Sequence, residues 1–356
     1  MSAERRFVGT YKMADRIVRI ESFYPLIHEY CKGYEWPAAG SPASAPKALS
    51  LGTSNAISTA VAAAASVIHA VASVSSGAEG CDASSVLQAA DTPDPESSCA
   101  APAPDIFVST TPEDIAYERE HATEDMVFSD DYFEELAVHR KISTAMVQYD
   151  TFLFHGSCVA VDGEGYLFTA PSGTGKSTHA RLWREYLGER AVMINDDKPF
   201  IRIASATADA GAGCAEENPA FGQPQKNASA SGPAADTDPA PIGSPSGSSA
   251  STAAAPRAFI YGTPFNGKHR LGTNICVPLK AICILSRGEK NEITKIEPQA
   301  AYTELLQQTY RPHDPALLAK TMELLDQLTF SVGLYKLKCN MDPEAARVSY
   351  EGMNGK

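Results

Sequence analysis

Apolar positions along the chain gather into three blocks, and the two long stretches between them hold few large apolar side chains. Residues 37–104 and 204–256 consist mainly of Ala, Ser and Pro. Such sequences bury too little apolar surface to offset the entropy of ordering, so both are predicted to stay mobile and disordered. The second interrupts what otherwise reads as one continuous domain, which makes it a surface insertion rather than a linker. The first block, 1–36, holds a strand over 16–21. The second, 105–148, holds a strand over 106–109 and a helix over 131–146. Together these two blocks read as a small N-terminal α+β region, either a subdomain or edge strands of a main sheet.

The third block, 149–350, alternates strand-like and helix-like runs, the signature of an α/β fold. Residues 151–161 read as one strand, and Asp162-Gly163-Glu164-Gly165 is a turn into the next strand, 166–169. A helix follows over 178–187, with Ala180, Leu182, Trp183 and Leu187 on its apolar face and Gly188 as its stop. A buried strand over 191–195 ends at Asp196-Asp197. After the insertion come strands over 259–262, 281–285 and 334–339, with helices over 298–310 and 315–328. Asp314 is placed to cap the second helix, and Leu318, Met322 and Leu325 give it a core-facing stripe.

The chemistry concentrates between the strand at 166–169 and the helix after it. Ala170 to Ser177 fits the phosphate-loop spacing G-x-x-x-x-G-K-[ST], with Ala in place of the first Gly. Gly173 and Gly175 let the backbone bend so that successive N–H groups converge on phosphate oxygens. Lys176 supplies a cation for the terminal phosphates, Ser177 a hydroxyl for Mg2+, and the helix start a positive end. Asp196 and Asp197 end a strand expected to point at the same crevice, one to hold Mg2+ through water and one to accept a proton. His155 lies in the strand before the phosphate-loop strand, either as a core histidine or within range of the cleft. Lys268 and Arg270 sit in a glycine-rich loop where they can clamp phosphate or act as a soluble basic turn.

Charge and cysteine content narrow the partners. The formal charge of −13 argues against nucleic acid, which needs a basic surface. Eight scattered cysteines with no C-x-x-C pair read as reduced cytosolic thiols, and no signal peptide opens the chain, so the expected compartment is the cytoplasm. Residues 56–74 lack charge, but alanines dominate them and polar residues interrupt them, so no membrane span is expected.

His155-Gly156, the run Ser172-Gly173-Thr174-Gly175-Lys176-Ser177 and the pair Asp196-Asp197 resemble the catalytic domain of HPr kinase/phosphorylase. That family shares a P-loop core with ATP-dependent phosphoenolpyruvate carboxykinase. The resemblance covers about 149–340 without the insertion. It implies an ATP- and Mg2+-dependent kinase in which Ser172 through Thr178 bind the nucleotide, with Lys176 on the β- and γ-phosphates. It further implies that Ser177 and Asp196 hold the metal, that Asp197 is the acid/base with His155 nearby, and that Lys268 and Arg270 replace the family's basic loop. The expected acceptor is a hydroxyl, serine above all, on a peptide or protein. The alternatives are a small-molecule phosphotransferase of carboxykinase type and a nucleotide-binding regulatory protein without turnover. The oligomeric state stays open, a homo-oligomer included.

Overall fold

The computed structural model describes residues 6–36, 103–122, 128–204 and 256–355. Almost all of the two Ala/Ser/Pro-rich tracts and the uncharged run at 56–74 lie outside them. The fold is mixed α/β. Its N-terminal part is a separate three-stranded sheet in the order β1 (Phe7–Met13), β2 (Arg16–Ser22), β3 (Ile106–Ser109). That resolves the choice left open by the sequence: these strands do not edge the main sheet. β1 and β2 form a hairpin whose turn residues, Ala14 and Asp15, both have positive φ, as a tight two-residue turn requires. β3 adds in parallel to β2. The short helix α1 (Leu26–Tyr30), α2 (Pro112–Glu120) and α3 (Asp130–Met146) complete this part.

The main sheet is mixed and curls along one long strand. The strands are β4 (Thr151–Leu153), β5 (Ser157–Val161), β6 (Glu164–Thr169), β7 (Ala191–Asn195), β8 (Phe200–Ala204), β9 (Arg257–Tyr261), β10 (Cys276–Arg287), β11 (Glu292–Lys295) and β12 (Gly333–Cys339). Cys276–Pro278 of β10 pair with β9, whereas its later residues run parallel to β6 on one side and β12 on the other. β5 lies antiparallel between β6 and β7, so β6 and β7 point the same way. The helices are α4 (Lys176–Leu187), α5 (Pro298–Gln307), α6 (Pro315–Ser331) and α7 (Glu344–Met353).

Both faces of the sheet are covered, which explains its nearly continuous apolar strands. Cys158 and Ala160 of β5 pack with Leu305 of α5 and Leu325 and Leu328 of α6. Val159 and Val161 turn to the other face, with Trp183 of α4 and Ala346 of α7. A third cluster joins the N-terminal sheet to the main one: Val138, Ile142 and Met146 of α3 pack with Val18, Ile20, Phe200 and Tyr261. Asp15 adds a polar tie, paired with Arg202 at 3.2 Å and accepting a hydrogen bond from Tyr261 Oη at 2.7 Å. α3 is therefore held against the main sheet, beside the turn that follows β7.

Several expectations need correction. The strand foreseen over 151–161 is two strands, broken at Phe154–Gly156 where the chain passes from β8 to β6 and β7. Gly156 permits the break, since a Cβ there would lie 2.8 Å from both the Phe168 carbonyl oxygen and Leu167 Cδ1. The stripe of α6 is rotated: Thr321, Leu324, Leu325 and Leu328 are buried, while Met322 is exposed. β1, β8 and β11 were not foreseen. Cys31, Cys158, Cys283 and Cys339 are free thiols, whereas Cys276 is disulfide-bonded and departs from the reading of all cysteines as reduced. Among the described residues no helix is long and apolar enough to cross a membrane.

Candidate functional site

The loop between β6 and α4 runs from the end of a strand into the start of a helix. Gly173 and Gly175 have φ of +76° and +122°, a region that L side chains rarely adopt. Ser172, Gly173 and Ser177 are exposed, and Thr174, Gly175 and Thr178 partly so. No side chain caps α4, whose first residue is Lys176, so its leading N–H groups remain available to an anion. Lys176 is buried and folds back over the loop, donating to the carbonyl of Ala170 at 2.9 Å. Burial lowers its pKa, against the opposing pull of Asp197 and Asp196.

Because β6 and β7 are co-directional, the acidic pair emerges at the same end of the sheet as this loop. Asn195, fully buried, shapes the turn that presents the pair. Its Oδ1 accepts from the backbone N–H of Asp197 at 2.8 Å and of Lys198 at 2.7 Å, and its Nδ2 donates to Thr263 Oγ1 at 3.0 Å. One buried amide thus fixes the carboxylates and anchors the start of the glycine-rich loop.

Asp196 is only 6% exposed and accepts from Ser157 Oγ at 2.9 Å. Burial pushes its pKa up, aided by the Asp197 charge and opposed by the hydroxyls of Ser157 and Ser177 and by His269. The Ser177 hydroxyl is thus near enough to Asp196 to act on its carboxyl. Asp197 behaves oppositely: burial raises its pKa, but His155, Lys198 and His139 outweigh that and leave it lowered. Its Oδ1 lies 3.4 Å from His155 Nε2 and its Oδ2 3.9 Å from Lys198 Nζ.

His155 is not inside a strand but at the break between β4 and β5. Its ring is buried, with Nδ1 2.9 Å from Gln308 Oε1. Lys268 and Arg270 lie in the glycine-rich loop after β9. Lys268 is exposed, and the Arg270 guanidinium lies 3.5 Å above the Tyr30 ring of α1. Arg287 at the end of β10 also meets the β6–α4 loop, its Nη2 donating to Gly173 O at 2.7 Å.

On the far side of Asp197, α3 contributes groups that the sequence reading passed over. Glu135 and His139, one turn apart, are both buried. Burial pushes the Glu135 carboxyl up to about 7, Asp197 and Glu118 adding to the push while Lys198 and Arg270 oppose it. Burial and Lys198 keep His139 neutral, against Asp197. Its ring sits 4.1 Å from that of Phe265, and its Nε2 has no hydrogen-bond partner among the described residues. Tyr132 joins them, its phenol raised to about 12 by burial and by Glu135, Tyr30 and Asp197. The only available signal was the polar spacing on an otherwise apolar helix face, and nothing in it tied α3 to Asp197.

No group of three or more His, Cys, Asp or Glu side chains suited to a metal occurs among the described residues. Mg2+ does not need one, since it is commonly held through one or two protein oxygens, waters and substrate phosphates. The Ser177–Asp196 pair has that character, and the desolvated Asp196 carboxyl gains from a nearby cation. No protein-family model matches the chain, and no curated protein matches it.

Proposed function

We propose that the protein is an ATP- and Mg2+-dependent phosphotransferase that phosphorylates a hydroxyl of a peptide or protein, in the manner of the HPr kinase catalytic domain it resembles. The observation that carries this reading is the meeting of Ser177 with Asp196, and of Asp197 with His155, at the mouth of the loop ending in Lys176. Unsatisfied N–H groups at the start of α4, together with Lys176, would take the triphosphate. Ser177 and Asp196 would hold Mg2+, which when bound neutralises charge on the β- and γ-phosphates. Asp197, kept ionised by its neighbours, is suited to orient the acceptor hydroxyl and take its proton. Glu135, His139 and Lys198 back that carboxylate on its buried side. Phosphoryl transfer asks little covalent chemistry of the protein, and this arrangement supplies positioning and charge.

The test is direct. Purified full-length chain with MgATP should release ADP, and Lys176→Ala should weaken ATP binding by about ten- to a hundredfold, the loss expected for a charge-assisted contact. Unchanged affinity in the variant would remove the loop assignment. Tight nucleotide binding with no turnover in the presence of cell-derived peptides would favour the regulatory alternative instead.

A further inference from the structure

A nucleotide carries its base and its terminal phosphate at opposite ends, so placing one end about the β6–α4 loop places the other. The acidic pair lies on the β7 side of that loop, beyond β5. That side is also roofed, since the glycine-rich loop comes so close that a Cβ on Gly267 would lie 3.4 Å from Asp196 Oδ2. The other side is bounded by β10, which outruns β6. Their last register pair is Ile284 with Thr169, whereas β10 continues beside β12 until Arg287 pairs with Cys339. Three further residues carry this two-stranded rim about 10 Å past the end of β6. Ala281, Cys283 and Leu285 share a cluster with Trp183 of α4 and with Leu337, and Cys339 packs against it. By alternation Arg287 belongs to the same face. Its side chain is exposed, and the hydrogen bond from Nη2 to Gly173 O shows it leaning over the loop. Two residues after Cys339 the chain leaves for α7 through Met341, which is 79% exposed.

We propose that this rim is the nucleoside subsite: with the terminal phosphate turned to the acidic pair, the purine lies against Arg287, Cys339 and Met341. The inference rests on the phosphotransferase reading and adds where the far end of that substrate sits. The chemistry suits a flat heteroaromatic base. A guanidinium held at one edge by a carbonyl keeps its planar face free for stacking. Methionine sulfur makes favourable contacts at aromatic edges and adapts its shape to them. Base and acceptor do not compete for space, because the two ends of the nucleotide are held on opposite sides of β6.

Two measurements on the full chain test this. Photo-crosslinking with 8-azido-ATP and Mg2+, followed by peptide mapping, should label residues within 286–290 or 339–343, and excess ATP should suppress the label. An ATP-suppressed label confined to any other segment, such as 263–272, overturns the proposal. Calorimetry then compares MgATP with Mg-tripolyphosphate, which has the phosphates and no base. Met341→Ala, which leaves charge unchanged, should weaken MgATP by about fivefold, the loss of one partly buried apolar contact. Arg287→Lys, which keeps the charge and loses the planar face, should weaken it by about two- to threefold. Neither variant should move tripolyphosphate by more than about 1.5-fold, whereas Lys176→Ala should weaken both ligands. Variants at 287 and 341 that leave MgATP unchanged, or weaken both ligands equally, overturn the subsite while Lys176→Ala still upholds the phosphate loop. A parent that binds neither ligand defeats the phosphotransferase reading and the subsite with it.

Discussion

The two sides of Asp197 differ in what they are made of. Toward Lys176 the site is open and built from backbone: exposed glycine and serine positions and an uncapped helix start. Toward α3 it is closed and built from side chains, with Glu135 and His139 both buried. On the proposed reading, the two sides would serve the nucleotide and the protonation of the carboxylate respectively. An anion can be met by N–H dipoles that stay solvated until it arrives. A hydroxyl awaiting transfer needs a dry carboxylate whose protonation is set by fixed neighbours. Within that closed cluster the carboxyls diverge: Asp197 is held below the ordinary range while Glu135 is pushed up to about 7.

The comparison breaks first at Asp197. Asp197→Asn should lower transfer by about a hundred- to ten-thousandfold, the range for a general base. ATP affinity should change by less than about threefold, because the proposed nucleotide site lies on the other side. A matching loss of ATP affinity, read by calorimetry, would mean that the two sides are not separable.

Glu135 gives the next largest effect, and it is on stability. A carboxyl whose folded pKa is raised binds its proton more tightly in the folded state, so folding loses stability as pH rises through about 7. Glu135→Gln should remove that cost, stabilising the protein by up to about 3 kcal/mol at pH 8 and by little at pH 5. Urea unfolding midpoints at the two pH values check this, and a gain of equal size at both would contradict it. Asp197 carries the opposite sign: its lowered pKa contributes stability above the ordinary carboxylate range, lost as pH falls through the folded value. The smallest effect belongs to Arg287, exposed at the loop. Arg287→Ala should weaken ATP binding by about two- to fivefold, less at high salt, as expected for a solvated charge.

What could be read from the chain divides along the same line. The phosphate loop is local: Gly173, Gly175, Lys176 and Ser177 are consecutive enough for spacing alone to give their geometry. Asp196 and Asp197 were legible as the end of a buried strand, and the direction of β7 relative to β6 brought them to the loop. Gln308, Glu135 and His139 were not legible, because their meaning comes from which helix is packed on which strand. His155 was seen but placed inside a strand, since the apolar run around it continues unbroken in sequence while the hydrogen bonding changes partners at Gly156. Arg270 was read from its place in a glycine-rich basic loop, and its stacking on Tyr30 was not legible in the sequence.

β10 carries a consequence for how the molecule comes apart. It is laddered in turn to β9, β6 and β12, and its middle residues are buried. Neither portion of the sheet can peel away without stripping that strand of partners, so amide exchange should find its central N–H groups opening only with global unfolding. The acidic turn after β7 and the loop after β6 would then share one melting event, and the distance between them would persist for as long as the protein is folded.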